Sequence, residues 1–217
     1  MRDGAAGNAF LEAIGQGAEA LGVPISSPVL DRLGTYQTLL EKWAPKVNLV
    51  ADWNSEVTAG VHFVDSIAVS RVLPETGRLI DIGTGAGFPG LVLAMVQPDR
   101  PVTLIEPIGK RASFLQQVVI HTGLQNCRVE IARTHQLRPF SDAILITRAV
   151  FPPIQWLQEA SRLLERGSVV VMTAESLDAR TREKGYAAGL RWVREDAFTL
   201  PLADVPRCNS MFESVPE

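Results

Sequence analysis

The sequence predicts an α/β fold of the Rossmann-like kind: an open, mostly parallel sheet with helices on both faces, preceded by a helical cap. Three observations carry this. From residue 77 onward, short apolar runs alternate with segments of helical period, the signature of a parallel sheet. The first run ends in an acid and enters a turn with four glycines in eight residues (Gly83, Gly85, Gly87 and Gly90), then an apolar stretch of helical length. The residues before 74 show helical periodicity and no strand pattern. The 217-residue chain therefore divides into a cap over about residues 1–74 and a core over about 75–217, within one domain.

The elements follow in order. Residues 8–22 and 28–47 read as helices; in the second, Leu33, Tyr36, Leu40, Trp43 and Val47 recur at steps of three and four and form an apolar stripe. Pro28 suits a first helical turn and Pro45 marks the end. A third helix is expected over 55–72, before Pro74. "GRLIDIG" (77–83) is then the first strand, and "FPGLVLAMVQ" (88–97) a helix with Pro89 in its first turn. "PVTLIEP" (101–107) is the second strand, followed by the helix "GKRASFLQQVVIHTG" closed by Gly123. "CRVEIAR" (127–133) and "SDAILITRAV" (141–150) give the third and fourth strands. A helix at "PIQWLQEASRLLERG" (153–167) precedes the fifth strand, "SVVVMTAE" (168–175). Past Leu190, "LRWVREDAFTL" and "RCNSMFESV" are weaker strand candidates that would close the sheet as an antiparallel pair.

Composition narrows the class. Apolar residues make up 46% of the chain, ample for one core. Cys127 and Cys208 are far apart, and neither they nor His121 and His135 show metal-ligand spacing; no metal is expected, and a reduced cytoplasmic compartment is. "MRDGAAGNAFLEAIGQ" carries acids and lacks an unbroken apolar stretch, so no signal peptide is expected. Nor does any window approach the roughly 18 apolar residues of a membrane span. A net charge of −3 weighs against a general nucleic-acid binder while leaving room for a local basic patch. A monomer is expected.

The glycine turn should lie at the carboxyl end of the first strand, where such sheets bind ligands. There glycines let the backbone turn tightly and approach a ligand without Cβ atoms in the way. Four readings compete. A Walker-type loop needs a lysine that is absent here. A dinucleotide fingerprint is literally present at Gly85–Gly90. An S-adenosylmethionine (AdoMet) loop has the form acid-x-G-x-G-x-G, matched by Asp81-Ile82-Gly83-Thr84-Gly85-Ala86-Gly87. The fourth is a turn that serves packing only. The acid discriminates: a carboxylate at the strand tip repels a pyrophosphate, whereas AdoMet carries an ammonium and a sulfonium. Glu106 ends the second strand, where a carboxylate accepts two ribose hydroxyls; that serves NAD and AdoMet equally.

With their flanks, these segments resemble the RsmG (GidB) family of bacterial 16S rRNA guanine-N7 methyltransferases. "LLEKWAPKVNLV" (39–50) is similar to the family's LL-x-K-W-N-x-x-x-N-L segment, and "HFVDSIAV" (62–69) to its H-x-x-D-S helix. "DIGTGAGFPGLVLA" resembles its glycine loop, F-P-G included; "TLIEPIGKRASFL" (103–115) resembles its second strand and K-R-x-x-F-L helix, and "ITRAV" (146–150) its S-R-A. The resemblance implies a class I AdoMet-dependent methyltransferase fold, AdoMet as cofactor, and 16S rRNA or the small ribosomal subunit as partner. It places Asp81, Gly83, Thr84, Gly85, Gly87 and Phe88 on the cofactor loop, Glu106 on the ribose, and Pro107 and Ile108 beside the adenine. Arg148 falls near the methionine end and the incoming base. Where the family has R-A-E, Arg133-Thr134-His135 stand, so Thr134 and His135 occupy the adenine-contacting positions. Where the family has a lysine and a glycine after the fifth strand, Thr173-Ala174 stand, and the tail "MFESVPE" is not basic.

Methylating guanine N7 uses an in-plane lone pair, so no catalytic acid or base is assigned; the positioning candidates are Arg148, His62 and Asp65. His62, Asp65 and Ser66 share one helix face. They either close over the cofactor pocket or form an Asp–His pair on a solvated face; a hydrolase would need a nucleophile on a sharp turn, and no G-x-S-x-G occurs. Lys110, Arg111, Arg133 and Arg138 are the RNA-binding candidates, with ordinary surface charge as the alternative. Arg148 either serves the site or pairs with an acid such as Asp142 or Glu175. Trp43 reads as cap core rather than as a base-stacking platform. Three further functions stay open: a diverged methyltransferase acting on another RNA or a small molecule, a non-catalytic AdoMet-binding protein, and an NAD-dependent oxidoreductase.

Overall fold

A computed structural model describes residues 3–47, 49 and 56–215. The expected helix start at Ser55 and much of the segment 48–55 lie outside these residues. The elements run α1 (Asp3–Ala20), α2 (Ser27–Val47), α3 (Glu56–Ala68), β1 (Arg78–Ile82), α4 (Gly90–Val96), β2 (Val102–Ile105), α5 (Gly109–Thr122), β3 (Cys127–Glu130), β4 (Phe140–Thr147), α6 (Pro153–Leu163), β5 (Leu164–Thr173), α7 (Ala179–Ala187), β6 (Leu190–Leu200) and β7 (Val205–Ser214). The strands form one sheet in the order β3-β2-β1-β4-β5-β7-β6. The first five are parallel, and β7 runs antiparallel to both β5 and β6. The expected closing antiparallel pair is present. Among the described residues no helix is long and apolar enough to cross a membrane.

The sheet separates two cores. On one face, α4, α5 and the cap bury Phe10, Ile14, Leu33, Tyr36, Leu40, Phe63, Leu91 and Phe114 against Leu79, Leu104 and Ile144. On the other, Trp156, Leu157 and Leu163 of α6 pack on Ile80, Leu145 and Val169, and the Trp156 indole N–H reaches the Val170 carbonyl at 2.8 Å. The cap is thus an extension of one helical layer, resting on α4 and α5.

The structure departs from expectation at α6, α7, β3 and β4. α6 ends at Leu163 rather than at residue 167, and Leu164 passes directly into β5. Pairing with β4 outweighs helix propensity there: Arg166 makes a two-pronged contact with Asp142 at 2.7 Å on each prong. Gly167 then approaches β4 so closely that a Cβ would lie 2.0 Å from the Ala143 carbonyl oxygen. α7 was not expected, because its buried residues are only Thr181 and Gly185 and it offers no apolar stripe. It is started by Asp178, whose carboxylate accepts the Thr181 N–H at 2.7 Å. The third and fourth strands stop at Glu130 and Thr147, earlier than the expected 133 and 150, because the following residues form the ligand-side loops.

The β-sheet order reverses between β1 and β4, and there the Thr147 hydroxyl donates to the Ile82 carbonyl at 2.7 Å. This is the crevice where open α/β sheets bind ligands. The cap is tied to it by Tyr36, fully buried, whose hydroxyl donates to the Ala86 carbonyl of the glycine loop at 2.6 Å. Burial pushes the Tyr36 phenol well above its ordinary value, so it stays a donor. We predict that Tyr36→Phe lowers unfolding stability by about 1–2 kcal/mol, read as a lower urea midpoint with unchanged slope; equal midpoints would show that this bond does not hold the cap to the loop.

Candidate functional site

The glycine loop begins with Asp81, which has no exposed surface. Its Oδ2 accepts the Thr84 hydroxyl at 2.6 Å and the Gly90 N–H at 2.8 Å, so one oxygen links the start of the loop to the start of α4. Its Oδ1 is buried with no hydrogen-bond partner among the described residues. Burial, larger than the opposing help from Thr84, Gly90 and Arg148, lifts the carboxyl from 3.8 to about 7. The sequence reading gave this acid a direct attraction for a cationic cofactor; the geometry corrects that, since the carboxylate lies beneath the loop and shapes it from below.

Gly83, Gly85 and Gly87 have φ of +68°, +61° and +106°, the left-handed region in which side chains are strained. Their surroundings differ. A Cβ at Gly85 would meet only the Gly83 carbonyl oxygen, at 3.9 Å, so this residue faces open space. A Cβ at Gly87 would strike Leu91 at 2.4 Å and the Tyr36 hydroxyl at 2.8 Å, so Gly87 faces the cap. Phe88 is also turned inward, 3% exposed, with its ring against Tyr36, Phe63 and His62 at centroid distances of 5.4, 5.1 and 5.5 Å. Within the loop, then, Gly83 and Gly85 face the crevice, whereas Thr84, Gly87 and Phe88 hold the loop to the protein.

Glu106 follows β2 and is buried. Its Oε2 accepts the Gly85 N–H and its Oε1 the Ile108 N–H, both at 2.9 Å. An ionised carboxylate has about four acceptor sites, so two remain for a diol. Beside it lies a cavity of about 250 Å³ lined by Ile82, Gly83, Pro107, Arg133, Thr134 and His135, and closed by Val150. Ile108, 47% exposed, stands on the loop that follows Pro107.

A second cavity, of about 430 Å³, is lined by His62 and Asp65 of α3, by Arg148, by Phe151 and Thr173, and by Arg207 and Asn209 of β7. The segment 148–151 lines both cavities. The chain leaves β4 through Ala149 in the left-handed region (φ +57°), which sends Arg148 into the larger cavity and Val150 into the smaller. Arg148 lies 4.8 Å above the Phe88 ring and 3.7 Å from Asp65, while Arg207 reaches the other Asp65 oxygen at 3.3 Å. Burial raises the Asp65 carboxyl, and the two guanidiniums oppose the rise. Burial and the same two arginines hold His62 down at about 4, a neutral imidazole.

This arrangement settles the earlier alternatives. The acid beside Arg148 is Asp65, not Asp142 or Glu175; Asp142 is engaged by Arg166. Asp65 is held by two arginines, and His62 packs on Phe88. The Ser66 hydroxyl is buried and donates to the His62 carbonyl at 2.7 Å, so it is no nucleophile. Burial lifts the Cys127 thiol to about 12. The basic candidates do not form one cluster: Arg133 borders the smaller cavity, Lys110 lies on α5, and Arg138 is exposed and lines neither. Arg111 is half-buried near the start of the same helix.

Arg207 is the residue that the sequence reading missed. The positive charge absent at Thr173 is present one strand away, because Thr173 pairs with Cys208, the neighbour of Arg207. The signal was there. An antiparallel strand closing a parallel sheet starts at the sheet's carboxyl edge, and period-two alternation puts Arg207, Asn209 and Met211 on one face.

The fold is that of class I methyltransferases. It resembles a Pyrococcus furiosus methyltransferase (TM-score 0.56, 14% identity, covering 86% of this chain and 99% of that one). It also resembles M. jannaschii TYW2, solved with AdoMet (TM-score 0.56, 16% identity, 76% and 80% covered). Residues 30–195 match the GidB family model, rRNA small subunit methyltransferase G, and the chain belongs to this family. Proteins named ribosomal RNA small subunit methyltransferase G from Myxococcus xanthus and Dichelobacter nodosus are each 33% identical to it, over 94% and 90% of this chain and 96% and 92% of theirs. A Halorhodospira halophila relative of the same name is 42% identical over 62% of this chain and 64% of its own length.

The buried Asp81 yields a pH prediction. Its carboxyl is raised in the folded state, so the folded protein holds its proton where the unfolded chain has lost it. Stability from this group is therefore full below about pH 4 and is lost as pH rises through about 7. Against Asp81→Asn, which keeps an acceptor and never ionises, the wild type should lose up to roughly 4 kcal/mol between pH 4 and 8. Urea unfolding of both across this range checks it, and parallel curves would refute it.

Proposed function

We propose that this protein transfers the methyl group of AdoMet to N7 of a guanine in 16S rRNA, working as a cytoplasmic monomer on the small ribosomal subunit or its RNA. The observation that carries the reading is the pair of cavities lined by the segment 148–151, one between Gly83 of the glycine loop and Pro107 after Glu106, the other lined by Arg148 and Arg207.

The residues present fit the cofactor. Gly85 leaves free the space that a Cβ would fill, Glu106 retains acceptor sites for ribose hydroxyls, and Pro107, Ile108, Thr134 and His135 offer walls for adenine. When bound, AdoMet supplies an electrophilic methyl group. The chain's own task is to bring N7 in line at about 3 Å. Arg148 and Arg207 each have donors to spare, and a guanidinium can donate to the O6 acceptor of guanine while leaving the N7 lone pair free to meet the methyl group. Asp65 holds both forks in place and offsets part of the positive charge that the guanine gains. His62, neutral, and Phe88 support Arg148 from below. None of these groups needs to remove a proton, which agrees with an acceptor that has none to lose. The carboxylate is occupied, the imidazole is held neutral by burial and then by the two arginines, and the serine is turned away.

Two measurements test the proposal. Calorimetric titration should show binding of AdoMet or S-adenosylhomocysteine and none of NADH. Gly85→Val should abolish that binding; since φ +61° strains any side chain there even though its Cβ has room, circular dichroism and the urea midpoint should show the variant still folded. NADH binding without response to S-adenosylhomocysteine would overturn the cofactor assignment. Mass-spectrometric mapping of 16S rRNA from cells with and without the gene should show one 7-methylguanosine lost. An unchanged map would refute the substrate assignment and leave the diverged methyltransferase.

A further inference from the structure

A third cavity lies apart from the two that form the site. It is about 570 Å³ and follows the seam between α2 and α5. Leu39, Trp43 and Val47, at successive turns of α2, give it an apolar floor, with Leu39 buried and the other two half-buried. Trp43 is supported from behind by Phe114, with ring centroids 6.0 Å apart. Lys42, Lys46 and Lys110, all exposed, stand around it. The groove continues along α5 to His121. Among the described residues no acid lines it, although the chain as a whole carries a net charge of −3.

Its position matters as much as its charge. Lys110 comes four residues after Glu106, so one end of the groove opens at the carboxyl edge of the sheet, where the proposed cofactor cavity lies. From Lys110 to His121 is about 16 Å along the helix. Lys42 and Lys46 are one turn apart, about 6 Å between Cβ atoms, a step that suits successive phosphates of an extended strand. A half-exposed indole within a frame of lysines is the combination by which proteins hold single-stranded nucleic acid, charge on the backbone and an aromatic face under a base.

We propose that this groove binds a single-stranded stretch of the RNA substrate, with Lys42, Lys46 and Lys110 on its phosphates and Trp43 stacked against a base. It rests on the proposed function in taking RNA as the substrate. It gives Trp43, which packs against the core as expected, a second role on its exposed side.

The test is equilibrium binding of a fluorescein-labelled single-stranded RNA, read by anisotropy across a salt series. Lys42→Ala with Lys46→Ala should weaken binding about tenfold at low salt and make the log–log salt slope shallower by about 1.4, near 0.7 for each lost phosphate contact. Trp43→Leu should weaken binding several-fold and leave the slope unchanged. S-adenosylhomocysteine affinity, measured by calorimetry, should stay at the wild-type value in both variants and so report an intact fold. If Lys42→Glu with Lys46→Glu leaves RNA affinity and slope unchanged, the proposal is overturned. It is overturned equally if those variants lose binding to a poly-glutamate peptide while RNA binding is intact, or if the wild type does not bind the RNA. Binding is read without turnover. A wild type that binds through the groove yet methylates nothing would therefore refute the proposed function and not this one, and a methylating enzyme with indifferent variants the reverse.

Discussion

One carboxylate oxygen holds the site together. Asp81 Oδ2 takes the Thr84 hydroxyl and the Gly90 N–H, and by doing so it fixes both ends of the glycine loop relative to β1. Between those two donors the chain reverses through two left-handed glycines, Gly85 and Gly87. At Gly90 the packing is so close that a Cβ would lie 2.4 Å from Leu104 and 2.6 Å from the same Asp81 oxygen. Such a buried charge is costly, as its raised pKa shows. The cost is offset by the loop it shapes, because an apolar residue at position 81 would leave the Gly90 N–H and the Thr84 hydroxyl buried and unpaired.

From this constraint the rest of the crevice follows. The loop's outward side presents Gly83 to the smaller cavity and Gly85 to open space, and the Gly85 N–H donates to Glu106. Its inward side presents Ala86, Gly87 and Phe88 to the cap, where Tyr36 and Phe63 meet them. Phe88 in turn carries Arg148 on its face, and Arg148 shares Asp65 with Arg207. The chain of contacts therefore runs from β1 through the loop to the cap helix and on to the closing strand. A cap that looked in sequence like an appendage is one wall of the second cavity, through His62 and Asp65.

Much of this was legible in the sequence, and the reasons are local. Apolar runs alternating with helical segments gave the order of strands, and the acid-and-glycine spacing gave the position of the crevice. What escaped was anything decided by partners far along the chain. Helix α6 loses its last turn because Arg166 and Gly167 pair with β4, and nothing in "LLERG" announces that. Helix α7 has no apolar stripe and is held by its cap and by Gly185 packed near Phe212. Asp81 and Phe88 were recognisable as loop residues, but which side of the loop they serve depends on where the cap lies. Arg207 belongs to a different order of difficulty. It lies 142 residues from Asp65 along the chain, and only the antiparallel course of β7 brings the two together.

The distribution of charge explains how an acidic chain can serve an RNA. A net charge of −3 is a sum over the surface, whereas affinity for phosphate depends on the local field. Here the cations near the sheet's carboxyl edge are placed in different settings. Arg148 and Arg207 are partly buried and tethered to Asp65, so they keep a fixed geometry suited to reading one base. Lys42, Lys46 and Lys110 are exposed on flexible stems around a groove, so they suit a backbone whose path varies. On the proposed reading, fixed arginines would serve specificity and mobile lysines affinity. That division would let Thr173 stand where a lysine was expected without loss of positive charge in the second cavity, because Arg207, held by Asp65, is already there.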